Sequence, residues 1–141
     1  MDILLEEKVK SDIERLCTYI PYFETATKQS VCEWRGGGKI GDNLYEMSYP
    51  NYDETLIDFT EDVYKSSLMC KDYLDIINLH SIYDDDKMIT ALDNDDLVIT
   101  SAILTFYIRQ ERFCDGLWAV AVDKKIFLKI LKRLKKVIDI Q

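Results

Sequence analysis

The sequence predicts a mostly α fold, a single helical domain over residues 1–141 with about six helices around a buried central helix at 96–112. Three observations point there. Apolar residues recur every three or four positions through residues 5–20, residues 97–108 are almost wholly apolar, and glycine and proline number only five and two. One exception is expected, a small β-hairpin near 31–48.

Taken in order, Leu5, Val9, Ile13, Leu16 and Ile20 form a stripe with Glu6, Glu7, Lys10, Asp12 and Glu14 between them, an amphipathic helix that Pro21 is expected to close. Tyr22 and Phe23 would plug the core at its end. From Thr25 to Tyr52 the helical period is absent. Val31 to Arg35 and Leu44 to Tyr49 are short runs of β-formers, with glycines at 36, 37, 38 and 41 between them. Asp53 is placed as an N-cap, followed by Leu56, Ile57, Thr60, Val63 and Tyr64 on one face. A short helix from Lys71 to Leu79 would bury Leu74, Ile77 and Tyr73. Another would start at Asp84-Asp85-Asp86 and bury Met88, Ile89 and Leu92, its aspartates facing the positive end of the helix dipole.

From Asp95 onward the polar face disappears, and a helix apolar all round is expected to be buried all round. Arg109, Glu111 and Arg112 end it in charge. Asp115-Gly116 makes the break, with Asp115 as a cap for Leu117 to Val122. Asp123 would cap the last helix, whose stripe is Phe127, Ile130, Leu131, Leu134 and Ile138.

At 141 residues the chain is long enough to bury roughly 68% of its unfolded surface, so its core needs no metal or disulfide. The four cysteines form no C-x-x-C pair, Met1 leads into an acidic amphipathic stretch, and no apolar run approaches the ~20 residues of a membrane span. A cytoplasmic protein with reduced thiols is expected. The net charge of −8 is unevenly placed. Residues 123–141 hold seven basic and two acidic residues, +5, so the other 122 carry −13. Such a body repels nucleic acid and anionic membrane and attracts basic surfaces. Neither direct nucleic-acid contact nor membrane contact is expected.

The run Tyr107-Ile108-Arg109-Gln110-Glu111-Arg112-Phe113-Cys114-Asp115-Gly116-Leu117-Trp118, followed by the basic helix around Phe127 to Leu134, resembles a bacterial family catalogued only as a domain of unknown function. Similar features occur at Tyr19 to Phe23, at Trp34 to Gly37 and at Tyr49-Pro50. The resemblance implies a coherent domain and no particular activity. It also implies a glycine between the last two helices, where this chain has Lys125.

No catalytic motif stands out, and no cofactor or metal is expected. Gly36, Gly38 and Gly41 have G-x-G-x-x-G spacing without the buried strand before or the helix after that a dinucleotide site requires, and read as a turn. His80 stands alone among potential nitrogen ligands. The aspartates at 84, 85, 86, 93, 95 and 96 lack the spacing of a calcium loop.

The polar cluster Arg109, Glu111, Arg112 and Asp115, with Trp118 beside it, has two readings. It is a binding pocket with a carboxylate and an arginine anion clamp, or a fastening in which an arginine pairs with Asp115 or Glu111 to fix the helix break. The second is favoured, with Cys114 as an inert core thiol. Lys125, Lys129, Lys132 and Lys136 form a basic stripe, read as lying against the acidic body or in solvent. The functional expectation is a non-enzymatic acidic module that engages a basic partner protein, as an inhibitor or nucleic-acid mimic. Its alternatives are a small enzyme or ligand-binding protein using Glu111, Arg112 and Asp115, and a homo-oligomer pairing basic tail with acidic body.

Overall fold

A computed structural model of the chain describes residues 6–93 and 96–140. Leu5 and Asp95, named above, lie outside them. The described part is mostly helical, with nine α-helices where about six were expected: α1 (Glu7–Cys17), α2 (Ile20–Thr25), α3 (Lys28–Val31), α4 (Glu54–Lys65), α5 (Tyr73–Leu79), α6 (Asp85–Ala91), α7 (Leu97–Gln110), α8 (Leu117–Asp123) and α9 (Ile126–Ile140).

The first surplus helix has a simple origin. Pro21 does not close the N-terminal helix; it opens α2 near its first position, where the missing N–H costs nothing and the fixed φ suits the helix. A second comes from Thr27 and Ser30, which exchange side-chain and backbone hydrogen bonds as a capping box and turn residues 28–31 into the single turn of α3.

Residues 32–52 form a ribbon of four short strands, β1 (Cys32–Arg35), β2 (Lys39–Gly41), β3 (Leu44–Tyr45) and β4 (Tyr49–Tyr52). β1 pairs antiparallel with β4, setting Cys32 opposite Tyr52 and Trp34 opposite Pro50, while β2 pairs with β3 farther out. The partner of β1 is therefore Tyr49–Tyr52 and not the run Leu44–Tyr49 expected from the sequence. Pro50 is tolerated because both strands of a two-stranded ribbon are edges.

The core joins α1, α2, α4, α7 and α9. Phe23, Phe59 and Phe127 meet edge-on or tilted with centroids 4.8–5.6 Å apart, and Tyr19 closes on Phe59 at 5.3 Å. α7 buries Ile99, Thr100, Ala102, Ile103, Leu104, Thr105, Tyr107 and Ile108 and touches α4, α5, α6, α8 and α9. It is not enclosed on every side: Val98 is 57% exposed and Phe106 is half-buried. Enclosure is shared with α9, which buries Ile126, Phe127, Ile130, Leu131 and Leu134 against α1, α2, α7 and α8.

Two helical faces are turned from their expected positions. α4 buries Leu56, Phe59, Thr60 and Val63, which leaves Ile57 and Tyr64 at the surface. α5 buries Tyr73 and Ile77 and exposes Leu74. Asp53 precedes α4 but its carboxylate makes no cap; it accepts a hydrogen bond from Tyr22 Oη at 2.7 Å instead. Asp123 ends α8 and does not cap α9.

Candidate functional site

The segment after α7 is built around one carboxylate. α7 tightens into a 3-10 turn at Glu111–Phe113, and the chain then turns back through Gly116 at φ +93° into α8. The first turn of α8 leaves its N–H groups without intrahelical partners. Glu111 supplies them: Oε2 accepts from Gly116 N at 2.9 Å and Oε1 from Trp118 N at 2.8 Å. Oε1 also accepts from Tyr52 Oη at 2.8 Å, which ties β4 to the same point.

Around this knot the aromatic side chains stack. The Tyr52 and Trp118 rings lie 5.1 Å apart, and Trp118 Nε1 donates to the Tyr107 carbonyl at 2.9 Å. Trp34, from β1, rests on Gly116 so closely that a Cβ there would stand 2.9 Å from the ring. Gly116 is thus required twice, by its left-handed backbone and by the indole above it. Burial, and then the Glu111 carboxylate accepting its proton, push the Tyr52 hydroxyl far above the ordinary tyrosine range. Burial and the Glu111 charge likewise raise the Cys32 thiol.

The five residues singled out in this run have separate surroundings. Glu111 and Trp118 belong to the knot. Arg109 lies half-buried with its guanidinium 6.0 Å from the Tyr73 ring centroid, and its buried Nε has no hydrogen-bond partner among the described residues. Arg112 lies exposed over the Phe113 ring at 4.7 Å, and Asp115 is exposed. Among the described residues neither arginine pairs with Glu111 or Asp115, so the helix break is not fixed by an ion pair. Asp115 is not the cap of α8 either, because Gly116 holds that position and Glu111 performs the capping. Cys114 is exposed and not a core thiol.

These contacts fix where the ribbon, α7 and α8 meet, and the comparison with known families covers that whole region. Residues 8–140 match the model of DUF6508, a family of unknown function. The chain belongs to this family. No curated protein and no solved structure matches it. The stretch that DUF6508 covers includes the ribbon, the Glu111 knot and the basic helix α9.

The basic stripe is partly engaged. Lys129 pairs with Asp93 at 3.0 Å, and Lys125 Nζ reaches the carbonyls of Ala26 and Phe23 at 3.3 and 3.5 Å. Lys132 and Lys136 are exposed and, with Leu92, Lys129 and Arg133, line a shallow basic groove of about 280 Å³. Arg133 donates to the carbonyls of Leu92 and Asp93, closing the end of α6. His80 sits exposed at the end of α5, on the rim of a broad depression of about 450 Å³ floored by Ile82 and Ile99. Gly36 turns the chain between β1 and β2 at φ +80°, and a Cβ there would overlap the Met47 carbonyl. Among the described residues no three His, Cys, Asp or Glu side chains converge as a metal ion would require, and no helix is long and apolar enough to cross a membrane.

Sequence reasoning missed Tyr52 and Trp34. Neither has a periodic signal, since each reaches the knot from a ribbon whose pairing is non-local.

Proposed function

We propose that this protein is a non-enzymatic binding module that meets a basic partner protein, acting as an inhibitor or as a competitor of nucleic acid. One observation carries the reading: the outer face of α4. Glu54, Asp58 and Glu61 succeed one another at helical spacing, all exposed, with Ile57 and Tyr64 beside them and Lys65 at the far end. None of the three carboxylates takes part in an ion pair or side-chain hydrogen bond among the described residues.

Several acidic side chains elsewhere have internal work. Asp53, Asp62 and Asp85 accept tyrosine protons, Asp84 and Asp96 cap helices, and Asp93 pairs with Lys129. Carboxylates flanking two exposed apolar side chains offer a basic amphipathic segment both charge and contact area. The frame for that face is α7, which we take as the helix round which the others gather. Glu111 has its oxygens occupied by three donors, which favours a fastening over acid–base chemistry there.

The test is a calorimetric titration with a helical peptide carrying lysine or arginine at matching spacing. Replacing Glu54, Asp58 and Glu61 by their amides should weaken binding roughly tenfold or more. Neutralising Asp72, Asp75 and Asp86, three exposed carboxylates at the start of α5, within it and in α6, should leave it nearly unchanged. Absence of binding, or equal loss in the two variants, would remove the proposal.

A further inference from the structure

The ribbon carries a surface that the α4 reading does not use. Six of the thirteen large apolar side chains exposed among the described residues lie within residues 34–49: Trp34, Ile40, Leu44, Tyr45, Met47 and Tyr49. Met47 reaches 84% exposure, and every residue of β2 and β3 is exposed. Among the described residues the ribbon is anchored at its base, through Trp34 on Gly116 and Tyr52 on Glu111. A two-stranded ribbon standing in water is marginal by itself, and its edges present unpaired backbone groups. Concentration of apolar side chains on one such element marks a contact surface.

We infer that the outer half of this ribbon pairs with the same element of a second copy of the chain across a two-fold axis. Charge decides in favour of a second copy. Residues 32–52 hold Arg35 and Lys39 against Glu33, Asp42 and Glu46, a net −1, whereas the rest of the chain carries −7. Of that −7, residues 123–141 contribute +5 and the remaining residues −12, so two acidic bodies repel each other whereas two ribbons meet with little charge between them. A basic partner would gain little from so nearly neutral a surface, and an anionic membrane is repelled by the whole. The order of the charges is also self-complementary. An antiparallel pairing of β2 with β2 about Ile40 places Lys39 opposite the partner's Gly41, which has no side chain, and within reach of the partner's Asp42. The two Ile40 side chains, which have no cross-strand partner in β3, then meet on the axis.

The experiment is sedimentation equilibrium of the full chain over a wide concentration range, at low and moderate salt. A monomer–dimer equilibrium is expected, weakened at least about tenfold in an Ile40→Lys, Tyr45→Glu variant that keeps its circular dichroism and melting temperature. Should that variant fail to fold, Met47→Lys provides the same comparison at the most exposed site. An Ile40→Cys variant in a Cys114→Ser background should oxidise to a disulfide-linked dimer that reduction separates. A monomer at every concentration overturns the inference. So does a dimer that the ribbon variants leave intact, since self-association would then use another face such as the basic groove of α9 against the acidic body. Either result leaves the α4 proposal standing, because the peptide titration does not involve the ribbon.

Discussion

A carboxylate that accepts from two backbone amides and one phenol performs three tasks at a single point. Glu111 caps α8, closes the turn after α7, and holds the ribbon to both through Tyr52. Removing it leaves three donors in a half-buried place, and hydrogen bonds to a charged acceptor contribute about 1.5–3 kcal/mol. Glu111→Ala should therefore lower stability by about 2–3 kcal/mol and the melting temperature by roughly 6–12 °C. Glu111→Gln should fall between the two, since one amide oxygen still accepts. Asp115→Asn, at an exposed residue of the same motif, should change stability by no more than about 0.5 kcal/mol. Urea unfolding of the three variants measures this, and equal losses for Asp115→Asn and Glu111→Ala would refute the assignment. That the charged stretch from Glu111 to Asp115 breaks the chain between two helices was legible from the sequence. Which of its carboxylates is fastened was not, because Glu111's partner Tyr52 lies 59 residues away on a strand with no periodic pattern.

At the scale of elements, most of the helices were legible and their rotations were not. Periodicity located α4 and α5 and placed Tyr73 and Ile77 inward, but it also turned Ile57, Tyr64 and Leu74 inward and left out Phe59, which occupies the core. Aliphatic residues at adjacent offsets compete for the same face, and the aromatic cluster of Phe23, Phe59 and Phe127 settles that competition through contacts distant in sequence. The α8–α9 junction follows local rules more closely. Lys125 takes φ +61°, the left-handed conformation that favours glycine, and so keeps the break that the family resemblance associates with that residue. Its ammonium compensates by reaching the carbonyls at the end of α2, where the helix dipole is negative. Lys125→Ala retains the strained backbone and loses the ammonium, whereas Lys125→Gly loses the ammonium but relaxes the backbone. The glycine variant should exceed the alanine variant by about 1 kcal/mol in chemical denaturation. Equal stabilities would mean that the left-handed turn is not the constraint at this junction.

Across the whole molecule, the uneven charge is accommodated by phenols as much as by cations. Residues 53–96 hold thirteen acidic and three basic residues. Four tyrosines donate to carboxylates: Tyr19 to Asp62, Tyr22 to Asp53, Tyr52 to Glu111 and Tyr107 to Asp85. Each pair stitches distant segments, and the phenol stabilises the carboxylate only while it keeps its proton. Burial, reinforced by the neighbouring acid, raises Tyr19 to about 12 and pushes Tyr22, Tyr52 and Tyr107 higher still. Burial raises the Cys17 thiol to about 11. In the unfolded chain these groups lose protons near their ordinary values, about 10 for tyrosine and about 8.5 for cysteine. Above those values the unfolded state binds fewer protons than the folded one, so stability falls as pH rises. The contribution is complete below about pH 8.5 and is lost progressively as pH climbs through the thiol and then the tyrosine range. Melting temperature should accordingly be level from neutral pH to about 8.5 and decline steeply above 10. Replacing Tyr52 and Tyr107 together by phenylalanine should lower stability at neutral pH, because Glu111 and Asp85 each lose a donor, and should flatten the alkaline decline, because two of the titrating phenols are gone. Loss at neutral pH with an unchanged alkaline slope would show that these hydroxyls do not set the limit, and that the repulsion of the excess carboxylates does.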